Sequence, residues 1–348
     1  MANRVFVAGY PGDLGGANTE CWHTIKLWRR FGLAVTCIPT WPANLDRAAL
    51  DRWQARLTSI GADTCLTSLD RLPRDADLRG AAVVAFCSVP FLAAAERFRG
   101  LGCRVVWVGC MNWLFPAERL HYRRWGVLDR YVFQSNYQKA ELEPQLRKFG
   151  YRDAQGRLIR GAFDYDEFPF RPRVRRPGQE FVVGRLSRPA ADKFHPETWS
   201  IYGALPNVRA RILGWGPEVQ QALGAPPDWA EVLAPGAESP QQFLASLHAL
   251  VMPGGRAVEN WPRAGLEAMA AGVPIVTDRR GGWLEMIRHG ETGCLAHTAG
   301  EITEYAACLA GDEQRRLEMA RAARNAVQTL SDPEVLWGQW RELLNELE

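Results

Sequence analysis

The stretch PRAGLEAMAAGVPIVTD, residues 262–278, contains one complete helix-to-strand unit. Pro262 has a fixed φ and no N–H, so it suits the first turn of a helix. The helix is predicted to continue through RAGLEAMAA and to end at Gly272, since glycine accepts the left-handed conformation that terminates helices. The run GVPIVTD follows at once, and its short apolar character predicts a buried strand.

Similar runs, rich in valine and isoleucine, alternate with helical stretches along the whole chain. Because they are apolar on both faces, they predict parallel strands covered by helices. The earlier runs are RVFVAG from Arg4, GLAVTCIP from Gly32, AAVVAFCS from Ala81, CRVVWVGC from Cys103 and DRYVFQS from Asp129. The later runs are EFVVGRLS from Glu180, NVRARILGWG from Asn207, AEVLAPG from Ala230, HALVMPGG from His248, GVPIVTD from Gly272 and TGCLA from Thr292. The sequence therefore predicts an α/β protein with two Rossmann-like halves.

The boundary between the halves is predicted where this alternation stops. FDYDEFPFRPRVRRPGQE, residues 163–180, is rich in proline and arginine and has no period. We predict a first domain over 1–165, a linker over 166–179, a second domain over 180–330 and a C-terminal helix over 331–348. Helices are also predicted over 19–32 and 47–61. The C-terminal helix begins near Pro333 and has an apolar face. That face contains Leu336, Trp340, Leu343, Leu344 and Leu347.

Composition limits the classes of function. The length of 348 residues favours two domains, and a net charge of +3 gives no reason to expect nucleic-acid binding. Eight cysteines without a C-x-x-C pair are typical of reduced thiols in a cytoplasmic protein. The N-terminal apolar run is too short for a signal peptide. The sequence has no run of 18 apolar residues, so no membrane span is predicted. Only four of the 42 basic residues are lysines, so Lys193 stands out.

Two glutamates surround the start of the helix at residues 262–272. Glu259 precedes the helix, and Glu267 lies more than one turn inside it. The N–H groups of Arg263 and Ala264 are in the first turn, where the helix dipole favours an anion. The spacing of the two glutamates is explained by ordinary helix capping and solvation. The alternative explanation is a binding site in which a carboxylate lies beside a phosphate-binding turn.

Four stretches together resemble the GT-B retaining glycosyltransferases of family 4. ENWPRAGLEAMAAGVPIV matches the family's two glutamates separated by seven residues and the E-A-M-A-x-G-x-P sequence that follows. GGWLEMIRHGETGCLA, VVGRLSRPAADKF and ILGWGPE resemble three further family stretches in the same order. The resemblance implies two Rossmann-like domains, with the acceptor held by the first and the nucleotide-sugar by the second. It also implies a C-terminal helix that crosses back to the first domain.

The resemblance also implies roles for individual residues. Arg185 and Lys193 would hold the donor diphosphate, Glu259 would meet the transferred sugar, and Glu267 would accept hydrogen bonds from the ribose hydroxyls. The residues for which the resemblance implies a role form a catalytic and a donor-binding group. They are Arg185, Lys193 and Glu259 as catalytic groups, and Gly15, Gly16, Gly184, Arg263, Ala264 and Glu267 as donor-binding groups. The ordinary explanation of Arg185 and Lys193 would be that they are surface cations. The ordinary explanation of Gly15 and Gly16, in the glycine-rich stretch GYPGDLGGANTE of residues 9–20, would be a plain strand-to-helix turn.

The implied reaction moves a hexose from a nucleoside-diphosphate sugar to an acceptor hydroxyl with retention of configuration, without a metal, a cofactor or a protein nucleophile. A UDP-sugar is the favoured donor and a GDP-sugar the alternative. The acceptor class stays open between a small molecule, a glycan and a lipid-linked molecule, as does peripheral contact with a membrane. Epimerase, sugar phosphorylase and non-enzymatic nucleotide-sugar binding stay open as alternative functions.

Some features depart from the family or suggest other chemistry. The run VVWVGCMNWLFP has Cys110, Met111 and Asn112 where many family members have a histidine. The triplets Asp75-Ala-Asp77 and Asp164-Tyr-Asp166 resemble metal-binding D-x-D motifs, although both lie in polar segments where acidic residues are usually solvated. HYRRWG and RPRVRR could touch nucleic acid or anionic lipid, but short basic runs are usually solvated.

Overall fold

A computed structural model describes residues 4–9, 12, 15–40, 47–64 and 78–347. The chain divides into two compact units, one of residues 1–163 and 332–348 and the other of residues 164–331. Each unit has a parallel β-sheet of its own, and in the described residues most successive strands are joined by a helix. This confirms the predicted fold class.

The first unit contains a seven-stranded parallel sheet in the order β3-β2-β1-β4-β5-β6-β7. The strands are β1 Arg4–Ala8, β2 Ala34–Ile38, β3 Asp63–Thr64, β4 Ala82–Phe86, β5 Arg104–Val108, β6 Arg130–Phe133 and β7 Gly156–Leu158. The helices are α1 Gly16–Arg30, α2 Arg47–Thr58, α3 Ala95–Gly100, α4 Pro116–Trp125, α5 Asn136–Arg147 and the C-terminal α13 Pro333–Asn345. Short 3₁₀ turns occur at Val89–Ala93 and Asp153–Gln155.

Alternation along β1 divides the core of this unit between the two faces of the sheet. Val5 and Val7 belong to one buried cluster, and Phe6 and Ala8 belong to another. Fully apolar strands are what a sheet covered on both faces requires. The first cluster also contains the apolar face predicted for the C-terminal helix, where the ring of Trp340 meets that of Trp28 edge to face at 4.9 Å.

The second unit contains a six-stranded parallel sheet in the order β10-β9-β8-β11-β12-β13. The strands are β8 Phe181–Leu186, β9 Val208–Leu213, β10 Ala230–Leu233, β11 Ala249–Met252, β12 Ile275–Asp278 and β13 Cys294–Ala296. The helices are α6 Thr198–Gly203, α7 Pro217–Leu223, α8 Pro240–Ala245, α9 Arg263–Ala271, α10 Trp283–Met286, α11 Ala299–Gly311 and α12 Glu313–Leu330. Short 3₁₀ turns occur at Tyr165–Glu167 and Ala191–Lys193.

All eleven apolar runs identified in the sequence are strands, and the predicted helices form with shifted ends. The first begins at Gly16 rather than at Thr19, and the second ends at Thr58 rather than at Gly61. Helix α9 follows Pro262 and ends before Gly272, whose φ of 85° is in the left-handed region, as predicted. Strands β3 and β7 were not predicted, because neither is an extended apolar run.

Residues 166–179, predicted as a linker, make hydrogen bonds within the second unit. The Arg171 N–H donates to Ala271 O at 3.0 Å, and Arg175 Nη1 donates to Ala310 O at 2.6 Å. The buried Arg316 donates to Arg173 O at 2.5 Å. These backbone contacts hold the segment against α9, α11 and α12.

The seven described cysteines are free thiols, and Cys65 lies outside the described residues. Cys21, Cys37, Cys103 and Cys294 are buried, whereas Cys308 on α11 is exposed. Among the described helices, none combines the length and the apolarity needed to cross a bilayer.

Candidate functional site

The candidate site lies at the carboxyl edge of the second sheet, where the order of the strands reverses. From β8 the chain proceeds outward through β9 and β10, and it then returns to place β11 on the other side of β8. In parallel α/β sheets, ligands bind beyond the carboxyl ends of strands at such a switch point. Arg185 comes from the end of β8, and the loop that carries Glu259 follows β11.

Arg185 links the two loops at this edge. It is only 1% exposed, and its Nη1 donates to Pro253 O at 2.8 Å while its Nη2 donates to Lys193 O. The guanidinium also lies over the ring of Phe194, 4.4 Å from its centre. Burial lowers the pKa of Arg185, with Tyr202, Glu259 and Asp278 opposing that effect. These carbonyl contacts give Arg185 a structural role that its place in the sequence did not predict.

Lys193 and Glu259 are brought into direct contact. Lys193 ends the 3₁₀ turn Ala191–Lys193, and its Nζ lies 2.8 Å from Glu259 Oε1. The two side chains are 13% and 25% exposed, so the ion pair is largely shielded but still reachable from solvent. The rare lysine and the first glutamate of the motif are thus neighbours, although 66 residues separate them along the chain.

A small pocket of about 10 Å³ borders this ion pair, and its lining includes charged residues that the sequence did not predict as site residues. Its lining includes Arg185, Lys193 and Glu259 together with Asp278 and Arg280. Three cationic and two carboxylate groups leave a net charge of +1, which suits an anionic ligand that also carries hydroxyl groups. The sequence contained a signal for this pair, since Asp278 is the last residue of β12 and Arg280 follows it by two residues, at the carboxyl end of an apolar strand.

Asp278 and Arg280 hold the loop between β11 and Glu259. The Gly254 N–H donates to Asp278 Oδ2 at 2.7 Å, and Arg280 Nη2 donates to Gly255 O at 2.5 Å. Arg280 Nη2 also lies 3.0 Å from Asp278 Oδ2. From the other side, the Gly255 N–H donates to Lys193 O at 3.1 Å. The loop is therefore fastened to both the Lys193 turn and the end of β12.

Glu267 lies on α9 and is 7% exposed. Burial raises its pKa to about 7, while Arg263, one turn earlier, lowers it and Glu167 raises it. A carboxyl group that changes charge near neutral pH is unusual for a capping residue and common in binding sites. Within the described residues, the lining of the Lys193 pocket does not include Glu267, Arg263 or Ala264.

The three predicted donor-binding glycines lie in different places. Gly15 and Gly16 belong to the first unit, at the N-terminus of α1, and Gly15 has a φ of 98° that few other residues adopt. Gly184 lies inside β8, where an added Cβ would be 2.4 Å from Leu247 Cδ1. The close packing of Leu247 accounts for glycine at position 184.

Of the two D-x-D triplets, only Asp164-Tyr-Asp166 lies in the described residues, at a turn of the second unit. Asp164 caps the turn Tyr165–Glu167 by accepting a hydrogen bond from the Asp166 N–H at 3.2 Å, and Asp166 lies 3.6 Å from Arg324. Asp75 and Asp77 lie outside the described residues. No group of three or more histidine, cysteine, aspartate or glutamate side chains suited to a metal ion occurs among the residues that the structure describes.

The segment without the family histidine follows β5 in the first unit. The Cys110 N–H donates to Cys87 Sγ at 2.9 Å, and Gln138 Nε2 donates to Met111 O at 2.8 Å. Cys87 has a φ of 46°, an uncommon conformation for a residue other than glycine. The thiols and the amide thus organise this loop without a histidine.

The fold agrees with that of known proteins. Anabaena HepE in complex with UDP-glucose superposes with a TM-score of 0.75 over 99% of both chains, at 18% identity. The sucrose-phosphate synthase of Thermosynechococcus elongatus superposes with a TM-score of 0.72 over 99% of this chain and 98% of that one, at 15% identity. The chain has the GT-B fold. At these identities, the likeness concerns the fold alone.

Sequence similarity is concentrated in part of this GT-B chain. Residues 181–312 match the family model described as Glycosyl transferases group 1. A GDP-mannose-dependent alpha-mannosyltransferase of Corynebacterium glutamicum is 32% identical over 152 residues. That alignment spans 43% of this chain and 36% of the relative, so it covers about a third of the relative's length.

Proposed function

We propose that the protein is a retaining glycosyltransferase of family 4 that moves a hexose from a nucleoside-diphosphate sugar to an acceptor hydroxyl. The observation that carries the proposal is the shielded Lys193–Glu259 ion pair at the switch point of the second sheet. The match of residues 181–312 to the group 1 family model supports it. A cytoplasmic location stays a prediction.

The charges of the pocket suit each end of the proposed donor. Cleavage of the bond between sugar and phosphate leaves negative charge on the departing diphosphate, and a fixed cation stabilises that charge more in the transition state than in the ground state. Lys193 is the candidate for this role. Arg185 would act mainly by holding the Lys193 turn, because its guanidinium already donates to Lys193 O and Pro253 O.

Glu259 would bind the transferred sugar. A carboxylate accepts two hydrogen bonds, and neighbouring sugar hydroxyls can donate them as a pair. In the free protein, Glu259 Oε1 is occupied by Lys193 Nζ. Donor binding would redistribute this contact, with the ammonium turning to phosphate and the carboxylate to the hydroxyls, so neither charge is left without a partner.

Retention is proposed to follow from attack on the face of the sugar that the diphosphate leaves, with the departing phosphate taking the acceptor proton. No protein nucleophile is then required. Cations of the chain would replace the divalent ion that other nucleotide-sugar transferases use. We therefore expect activity to persist in EDTA, whereas strict dependence on magnesium or manganese would contradict this part of the proposal.

A UDP-sugar is proposed as the donor, and a GDP-sugar is the second candidate. The structural neighbour HepE was solved with UDP-glucose, while the sequence relative in Corynebacterium is named for GDP-mannose. The two nucleotides differ only in the base, which the backbone between Gly214 and Leu233 is expected to contact. Gly214 N donates to Leu233 O at 3.0 Å, and its φ of 110° restricts this position to glycine.

Thermal shift with UDP-glucose and GDP-mannose tests the donor class, because a ligand that binds only the folded state raises the melting temperature by mass action. We expect UDP-glucose to give the larger increase. A product assay with and without acceptor alcohols then separates transfer from epimerisation. No shift with any nucleoside-diphosphate sugar would contradict the proposed function.

A further inference from the structure

Exposed apolar side chains are concentrated in one short segment of the first unit. Six large hydrophobic residues are exposed in the described part of the chain, and three of them lie between residues 113 and 125. Trp113 is 43% exposed, Leu120 is 69% exposed and Trp125 is 49% exposed. Single exposed apolar residues are ordinary, but a group of them marks an interaction surface.

This segment contains helix α4, Pro116–Trp125, whose outer side is both basic and apolar. Arg119, Leu120, Arg123 and Arg124 are exposed. Their spacing of three and four residues places them on one side of the helix. Trp113 precedes the helix, and Trp125 is its last residue, exposed at the helix end beside Arg124 although its spacing of three and four residues from Tyr122 and His121 places it on their side. We refer to Trp113, Arg119, Leu120, Arg123, Arg124 and Trp125 together as the α4 face.

The inner side of α4 fixes the orientation of this face. Glu118 is 1% exposed, accepts a hydrogen bond from the Phe115 N–H at 2.8 Å and another from Tyr122 Oη at 3.2 Å. His121 and Tyr122 are also buried, and Tyr122 is packed in the core beneath the helix. The helix is therefore anchored by one side, and its arginines and Leu120 are directed outward.

The α4 face is positively charged. Glu118 is the only acidic residue between positions 113 and 126, and it points inward. Burial also raises the pKa of Glu118 to about 7, which reduces its negative charge near neutrality. The hydrogen-bond and ring partners given for Arg119 and Arg124 are neutral: Arg119 Nη2 donates to Gln145 Oε1 at 3.2 Å, and Arg124 lies 4.8 Å from the centre of the Trp125 ring. The charge of Arg119 also acts on Glu118, whose pKa it lowers against the larger effect of burial.

We propose that the α4 face docks the protein on the surface of an anionic lipid bilayer. Arginines at such a surface are attracted by lipid phosphates, while their apolar stems cover hydrocarbon. Tryptophan is favoured at the level of the headgroups, and the highly exposed Leu120 would enter the boundary with the acyl chains. This docking would be peripheral, and it does not depend on the proposed glycosyl transfer.

A bilayer fits this surface better than a nucleic acid does. Phosphate contacts would use the arginines, but a nucleic-acid backbone offers nothing to Leu120, the most exposed of the large apolar side chains. A membrane surface offers phosphates to the arginines of the α4 face and hydrocarbon to Leu120. The two partners therefore make opposite predictions for substitution of Leu120.

Co-sedimentation with vesicles of phosphatidylcholine, with and without phosphatidylglycerol, tests the proposal. We expect binding to the anionic vesicles only, weakening as salt is added. The triple variant Arg119→Gln, Arg123→Gln, Arg124→Gln should bind about a hundredfold more weakly, at roughly fivefold for each arginine. The matched control Arg315→Gln, Arg321→Gln, Arg341→Gln removes three exposed arginines elsewhere and should bind like the wild type.

Two further measurements show whether the apolar members insert. Leu120→Ala should weaken binding to anionic vesicles, whereas Leu284→Ala, which changes another exposed leucine, should not. Brominated acyl chains should quench tryptophan fluorescence in the wild type, and this quenching should be lost in Trp113→Phe, Trp125→Phe. Far-ultraviolet circular dichroism and melting curves of each variant show that it is folded.

Three results would overturn the proposal. One is equal binding to neutral and anionic vesicles. Another is an arginine triple variant that binds vesicles as tightly as its control. The third is tight binding to double-stranded RNA that Leu120→Ala leaves unchanged, without any binding to vesicles, since it would assign the α4 face to nucleic acid.

Discussion

At the scale of single residues, burial decides how the charged groups of the second unit behave. Lys193 and Glu259 are partly exposed and satisfy each other, whereas Glu267 is buried and its pKa is raised to about 7. The two glutamates of one motif are therefore chemically different. The spacing in the sequence identified both glutamates as candidates. It could not show that Glu259 pairs with a lysine while Glu267 resists ionisation, because burial depends on the packed fold.

Substitution of Glu267 is expected to change donor affinity and the stability of the fold in opposite directions. The folded-state pKa of this carboxyl lies above its unfolded value, so the folded state holds the proton longer and wild-type stability falls as pH rises from about 4.5 to about 7. The ionised form costs on the order of 3 kcal/mol at pH 8. Glu267→Gln should remove that loss and melt higher at pH 8.

The same variant should bind the donor at least tenfold more weakly, because a carboxylate accepts hydroxyl hydrogen bonds more strongly than an amide does. Wild-type donor affinity should rise as pH increases through 7. Calorimetry at pH 6 and pH 8 measures the affinities, and Glu318→Gln is the exposed control. Unchanged donor affinity in Glu267→Gln would show that Glu267 is only a structural residue.

Arg185 and Gly184 have contacts that the sequence did not predict. The family resemblance implies that Arg185 meets a diphosphate, which stays a prediction, and in the structure its guanidinium donates to Pro253 O, 68 residues away. Gly184, for which the resemblance implies contact with the donor, also leaves room for Leu247. Both outcomes depend on contacts between distant parts of the chain, and no local pattern records them.

At the scale of elements, the periodicity of apolar residues predicted the strands well. A strand buried on both faces must be apolar throughout, so all eleven such runs could be identified. Strands β3 and β7 escaped because Asp63–Thr64 and Gly156–Leu158 add to the edges of the sheet by backbone hydrogen bonds and carry no such pattern. Their positions are set by the neighbouring strand, which the sequence of these residues does not reveal.

The loop between β11 and Glu259 is the element on which the site depends most. Asp278 and Arg280 fasten it through Gly254 N and Gly255 O. We expect Asp278→Ala to release the Gly254 N–H and lower kcat about tenfold with a smaller change in KM, because Glu259 would be held less firmly. Asp278→Asn keeps an acceptor and should recover part of the loss.

Steady-state kinetics with the preferred nucleotide-sugar measures this effect. Arg288→Ala, which removes an exposed ion pair with Glu291, is the matched control and should leave kcat unchanged. A loss of melting temperature in Asp278→Ala without a loss of kcat would show that the loop contacts serve stability alone.

At the scale of the whole molecule, two units of similar architecture carry different features. The second unit has the charged pocket at its switch point, and the first has the α4 face and the glycine turn at Gly15. The sequence predicted two Rossmann-like halves and a C-terminal helix with one apolar face. The predicted domain boundaries stay a prediction, although residues 166–179 make hydrogen bonds with α11 and α12 of the second unit.

The most direct test of the proposed transfer is single-turnover kinetics at saturating donor for Lys193→Ala and Glu259→Gln. Lys148→Ala is the control, since it removes an exposed lysine from the first unit. We predict that both site variants melt within a few degrees of the wild type and transfer sugar at least a hundredfold more slowly, as expected when one charge-stabilising group is lost. Transfer by either variant at the rate of the Lys148→Ala control would contradict the assignment of this ion pair to the reaction.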